Sequence, residues 1–90
     1  MKETIWKYTL QHTSVQHIAM PIGAKILSLQ MQGNDACVWA LVNPERSKTP
    51  VCFEIFGTGH EILPELPNEK RIFIGTYQDS GFVFHVFTKT

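Results

Sequence analysis

The chain is poor in the features that commit a sequence to a special class. Its 90 residues hold two cysteines, eight basic and eight acidic residues, and no net charge. Cys37 and Cys52 cannot build a multi-disulfide framework and neither lies in a CxxC motif, so free thiols acting as small hydrophobes are expected. The balanced charge gives no single-sign face, which argues against nucleic-acid binding by phosphate neutralisation. It also gives little protection from self-association. The longest apolar run, Ala36–Val42, has seven residues, against the roughly 20 that a membrane span needs. The opening MKETIWKYTL carries Lys2, Glu3 and Lys7 and lacks the apolar core of a signal peptide, so a cytoplasmic protein without membrane contact is expected. There is no internal repeat, and no stripe of 3.6-residue period extends beyond about two helical turns.

What is present is apolar and aromatic. Hydrophobic residues make up 43% of the chain and aromatic ones 11%, which excludes a disordered tail and indicates one small globular domain over residues 1–90. Period-two alternation marks strands. In Thr4–Leu10, Trp6, Tyr8 and Leu10 share one face, and Ile5, Lys7 and Thr9 the other. Val15–Met20 ends at Pro21, which cannot donate to a ladder. Lys25–Gln32 and Cys37–Val42 form a hairpin around Gly33-Asn34-Asp35, the second of these strands being apolar on both faces and therefore central. Asn43–Pro50 reads as an exposed loop. Val51–Phe56 returns as a strand before Gly57-Thr58-Gly59, and Ile72–Gln78 pairs with Phe82–Thr88 around Asp79-Ser80-Gly81. Between them, Pro64 and Pro67 argue against a long helix. The expected fold is mainly β, with six or seven short antiparallel strands in a sandwich or barrel-like arrangement.

Phe56-Gly57-Thr58-Gly59-His60-Glu61 is the most informative local feature. Two glycines about a threonine let a backbone approach a bound group closely, with amides available for an oxyanion or phosphate. The same pattern also serves as a plain tight turn. Among the aromatics, Trp6, Tyr8 and Trp39 are candidates to stack on a planar ligand or to cover a dimer interface; filling a small core is the alternative. The expected ligand site therefore comprises Trp6, Tyr8, Trp39, Phe56, Gly57, Thr58, Gly59 and His60. His12, His17, His60 and His85 form no metal-ligand spacing with each other or with the cysteines, so neither a metal nor a cofactor is expected. His85, in an apolar strand, suits a hydrogen-bonded structural role better than catalysis. No serine has nucleophile-elbow context and no carboxylate pair is poised as acid and base, so an enzyme is not expected.

Taken in order, IWKYTL, MPIGAKILSLQMQ, CVWALV, FEIFGTGHEI and FIGTYQDSGFVFHVF resemble a family of small phage and prophage proteins known largely as a domain of unknown function. The resemblance covers nearly the whole chain. Compact phage proteins of this kind often act against host defence, and this chain is similar in type to sponges of ADP-ribose-derived signals made by TIR-domain enzymes, histidine–ADP-ribose being one. The resemblance thus implies a homodimer in the cytoplasm of an infected bacterium that sequesters a nucleotide-derived immune signal without turnover. A module that inhibits a host protein directly, and a nucleotide-processing enzyme using His60 or His85, are the competing readings.

Overall fold

A computed structural model describes residues 2–90. It contains seven strands: β1 Thr4–Thr9, β2 Val15–Pro21, β3 Lys25–Gln32, β4 Asp35–Val42, β5 Lys48–Gly57, β6 Arg71–Asp79 and β7 Phe82–Lys89. They form a three-stranded sheet ordered β1-β4-β3 and a four-stranded sheet ordered β2-β5-β7-β6. Every pairing is antiparallel. Among the described residues no helix is long and apolar enough to cross a membrane.

The core lies between the sheets. Leu29, Ala36 and Val38 of one sheet meet Met20, Phe53, Ile55, Tyr77 and Val86 of the other in one buried cluster. Alternation explains the partition, since successive residues of a strand point to opposite faces. Trp6 pairs with Ala40 and Tyr8 with Val38, which puts both rings on the inner face of the first sheet. β4 is central in that sheet, so its outer face is also partly covered and Cys37 is 1% exposed. Along one side the sheets close through β3 and β6, where Gly75 lies against Leu29: a methyl group at residue 75 would sit 3.3 Å from the Leu29 side chain.

Two boundaries shift by two residues or more from the sequence reading, and the others by one or none. The first hairpin turn is only Gly33-Asn34, because Asp35 already pairs with Gln32. β5 starts at Lys48 and runs through Pro50, shortening the expected loop to residues 43–47. Proline is tolerated there because Lys48–Val51 pairs with β2 alone, before β7 joins at Cys52, so one side of the strand needs no donor. Asn43 is not exposed either. It is buried, and its side-chain oxygen accepts the Glu45 amide at 3.1 Å.

Strand direction gathers four connections at one end of the sandwich: residues 10–14, 33–34, 57–60 and 80–81. The second hairpin turns through Ser80 and Gly81 with φ of 53° and 84°, the type I′ geometry that matches strand twist. Residues 58–70, which carry no strand, return from that loop end to the start of β6 at the other.

Candidate functional site

The bend after β5 is folded onto itself. The Thr58 amide donates to the Val83 carbonyl at 3.0 Å and the His60 amide to the Gly57 carbonyl at 3.0 Å. The Gly57 amide donates to Nδ1 of His60 at 3.2 Å. The expectation that the amides flanking Gly57 are free for a phosphate is therefore corrected: three of them already have internal acceptors. The His60 ring lies so close that a Cβ at residue 57 would come within 2.7 Å of its Cε1. Gly57 thus leaves room for the imidazole to fold back over the bend. Gly59, at φ 87°, supplies the left-handed step that turns the chain back. Because Nδ1 accepts a hydrogen bond, the neutral ring carries its proton on Nε2, leaving that nitrogen as a donor.

Two adjoining clefts flank this bend. One, of about 230 Å³, is lined by His12, Thr13, Ser14, Gly57, His60 and Phe84. The other, of about 280 Å³, is lined by Gly57, Thr58, His60, Phe82 and Phe84 among others. Gly57, His60 and Phe84 form the ridge common to both. Phe84 is held in place by an edge-on contact with His12 at 4.7 Å and a tilted one with Tyr77 at 5.3 Å. The rim therefore combines aromatic surface, two imidazoles and three hydroxyl side chains.

On the outer side of the bend, Thr58 closes a short polar chain. Its hydroxyl lies 2.7 Å from Nε2 of His85 and 3.4 Å from the Val83 carbonyl, while the Thr76 hydroxyl lies 3.0 Å from Nδ1. One arrangement satisfies every group: Nε2–H donates to Thr58, Thr58 donates to the carbonyl, and Thr76 donates to Nδ1. His85 is engaged on both nitrogens, as a structural histidine would be.

The expected site is not assembled as a unit. Gly57, Thr58 and His60 line the bend clefts. Trp6, Tyr8 and Trp39 line no cleft with them. Trp6 is half-buried on the inner face of the first sheet with Lys48 Nζ 6.0 Å from its ring. Trp39 pairs with Lys7 and Ser28 on the opposite, outer face. The Tyr8 hydroxyl is buried without a hydrogen-bond partner among the described residues, and burial raises its pKa above the ordinary 10.0. The aromatic residue beside the bend is Phe84.

Phe56 points to the outer face of the four-stranded sheet, in edge-on contact with Phe87 at 5.8 Å. There, residues 61–69 cover a separate cleft of about 420 Å³ whose floor is charged. Arg71 Nε binds the buried Glu54 at 2.6 Å, its Nη1 donates to the Leu63 carbonyl at 2.9 Å, and its amide donates to Glu65 at 3.1 Å. Lys89 bridges Glu69 at 3.0 Å and Glu54 at 3.7 Å, and those carboxylates raise its pKa, Glu69 most. Both cations are already paired, so this cluster straps residues 58–70 to the sheet. Cys52, half-buried nearby, is free, and burial together with Glu54 pushes its thiol up from 9.0.

His12, Ser14 and Phe84 were not singled out as site residues, and no local signal marks them. They meet Gly57 and His60 only because separate connections converge at one end of the sandwich. No curated protein and no solved structure matches the chain. Residues 1–90 match the family described as Domain of unknown function (DUF7352), and the chain belongs to that family.

Proposed function

We propose that this member of the DUF7352 family is a phage-encoded, non-catalytic binding protein that sequesters a nucleotide-derived immune signal of the ADP-ribose type in the host cytoplasm. The observation that carries the reading is the pair of clefts sharing His60 and Phe84. A molecule built of two ring-bearing halves would fill both, with Phe84 stacking on one ring. With the bend amides occupied and the Thr13 hydroxyl donating to the Val15 carbonyl at 3.1 Å, oxyanion recognition falls to the imidazoles of His12 and His60 and to the Ser14 hydroxyl. Affinity without turnover suits this set, because Nδ1 of His60 accepts the Gly57 amide and both ring nitrogens of His85 are held by threonine hydroxyls within the fold.

A homodimer accompanies this reading. Phe82 in the final hairpin and Phe73 on β6 are 68% and 57% exposed, more than a small neutral domain comfortably leaves in water. Direct inhibition of a host protein is the second reading, favoured by Leu63 and Leu66 at 70% and 64% exposure on the strapped segment. Native mass spectrometry of protein purified from cells with an active TIR-type defence separates the two. A retained small molecule supports sequestration, whereas a co-purified protein with no small molecule refutes it.

A further inference from the structure

Four strands border the two sheets, β1 and β3 in the three-stranded one and β2 and β6 in the four-stranded one. Three of those borders are blunted. β3 and β6 each carry a bulge, between Ile26 and Ser28 and between Phe73 and Gly75, and they pack on each other where the sheets close. β2 ends in Pro21. The Ile55 amide donates to the Ser14 carbonyl at 2.9 Å, so even-numbered residues of β2 face β5, and Val15, His17, Ala19 and Pro21 face outward. At that border Pro21 has no amide hydrogen to offer, and its carbonyl already accepts the Ala24 amide at 3.1 Å.

β1 has none of these devices. Its register with β4 runs unbroken from Thr4 to Thr9, and it holds no proline. The Leu10 amide donates to the Ala36 carbonyl at 2.8 Å, which continues that ladder and fixes its phase: Thr4, Trp6 and Tyr8 spend their backbone groups on β4. The amides and carbonyls of Ile5, Lys7 and Thr9 therefore point away from the sheet, without a partner among the described residues. All three residues are exposed, Ile5 by 54%. Lys7 is the one charge within β1, and its ammonium meets the neutral side-chain oxygen of Gln32 at 2.6 Å.

We infer that the β1 edge is a homodimer interface, at which β1 of a second copy adds antiparallel about a two-fold axis at Ile5 and joins the two three-stranded sheets into one. Only outward-facing residues have free ladder groups, so they must meet outward-facing residues of the partner. Centred on Ile5, the pairing sets Ile5 against the partner's Ile5 and Lys7 against the partner's Glu3, once on each side of the axis. Glu3 stands one residue before β1, and alternation carries it to the face that bears Ile5 and Lys7. Opposite charges directly across a strand pair are favourable and like charges are not. Centred on Lys7, two ammonium groups would oppose each other; centred on Trp6, Ile5 would oppose the partner's Lys7. Of these registers the first alone pairs the charges. The backbone ladder supplies the affinity, and the exposed ion pairs, weak by themselves, select the register. The inference rests on the homodimer proposed above and names its surface. Phe73 and Phe82 lie on the other sheet, outside this interface, and no residue of β1 lines the clefts at the bend.

Sedimentation velocity of the wild-type chain from micromolar to near-millimolar concentration should show a reversible passage from monomer to a species of twice the mass. Over the same range the Ile5 and Lys7 amides of the 15N-labelled protein should become slower to exchange. Ile5→Pro removes an outward amide without touching the bonds to β4, so it should weaken the dimer about tenfold or more and leave the thermal transition in place. Glu3→Lys and Lys7→Glu should each weaken it several-fold at low salt, and mixing the two variants should restore association, because every charge then meets its opposite. That recovery guards against a proline variant that fails to fold. A wild-type chain that stays monomeric, a dimer untouched in folded Ile5→Pro, or charge variants that do not recover on mixing would each overturn the interface. ADP-ribose titrated into Ile5→Pro keeps the readings apart, since the bend clefts are intact in it. A dimer that responds to these variants upholds the interface even where ADP-ribose fails to bind, and that failure falls on the nucleotide reading alone.

Discussion

Gly57→Ala tests whether the bend exists to place the His60 imidazole. The new methyl group would lie 2.7 Å from Cε1 and 2.9 Å from Nδ1, so something must move. What moves is the exposed end of a histidine side chain, not the backbone. The loss is the bond from the Gly57 amide to Nδ1, worth about 0.5–1.5 kcal/mol. Against it stands about 0.4–1 kcal/mol gained by restricting the unfolded chain, since residue 57 is not in the left-handed region. The two nearly cancel, leaving a net cost below about 1 kcal/mol, or less than about 8 °C in Tm for a chain of this size. Ligand binding should nonetheless fall sharply, because the imidazole would leave the ridge shared by both clefts. Thermal unfolding and titration calorimetry with ADP-ribose, run on the same samples, give both numbers. A drop in Tm beyond about 15 °C, or a folded variant that binds like wild type, would refute the argument.

Other consequences are equally specific. Tyr8→Phe removes a buried hydroxyl that has no partner among the described residues and should stabilise the protein by about 1 kcal/mol, read as a raised Tm. Glu54→Ala leaves Arg71 without its acceptor under the strapped segment and should cost about 3 kcal/mol, with faster proteolysis within residues 58–70. Folding raises the pKa of Cys52 above 9.0, so the folded state disfavours its thiolate. The resulting stability is intact below pH 9 and lost as pH rises through the folded value. Denaturant midpoints should therefore fall above about pH 9, and Cys52→Ala should flatten the fall.

The strands were legible because period-two alternation and the two hairpin turns are local signals. Val38, Ala40 and Val42 face inward as that alternation requires. Trp39 was not assignable to a face, because β4 is apolar on both sides and its register with β1 comes from pairing across more than 25 residues, not from its own pattern. Pro50 concealed the start of β5, since its tolerance depends on which side of the strand lacks a neighbour. At the bend, close approach holds at Gly57 alone, since nothing lies within 4 Å of a Cβ placed at residue 59. What approaches is the chain's own His60 ring, a tertiary detail that GxG spacing does not encode. Likewise His12 and Phe84 are 72 positions apart in sequence yet 4.7 Å apart between ring centroids.

The most direct test of the account is an ADP-ribose titration of the 15N-labelled protein, followed residue by residue alongside the Phe84→Ala variant. Saturable shifts confined to residues 12–14, 57–60 and 82–84 are expected. Affinity should fall about tenfold or more in folded Phe84→Ala, from lost stacking of about 1–3 kcal/mol. Shifts centred instead on the outer faces around Trp39 or Phe73, or no saturable change at millimolar ADP-ribose, would contradict it.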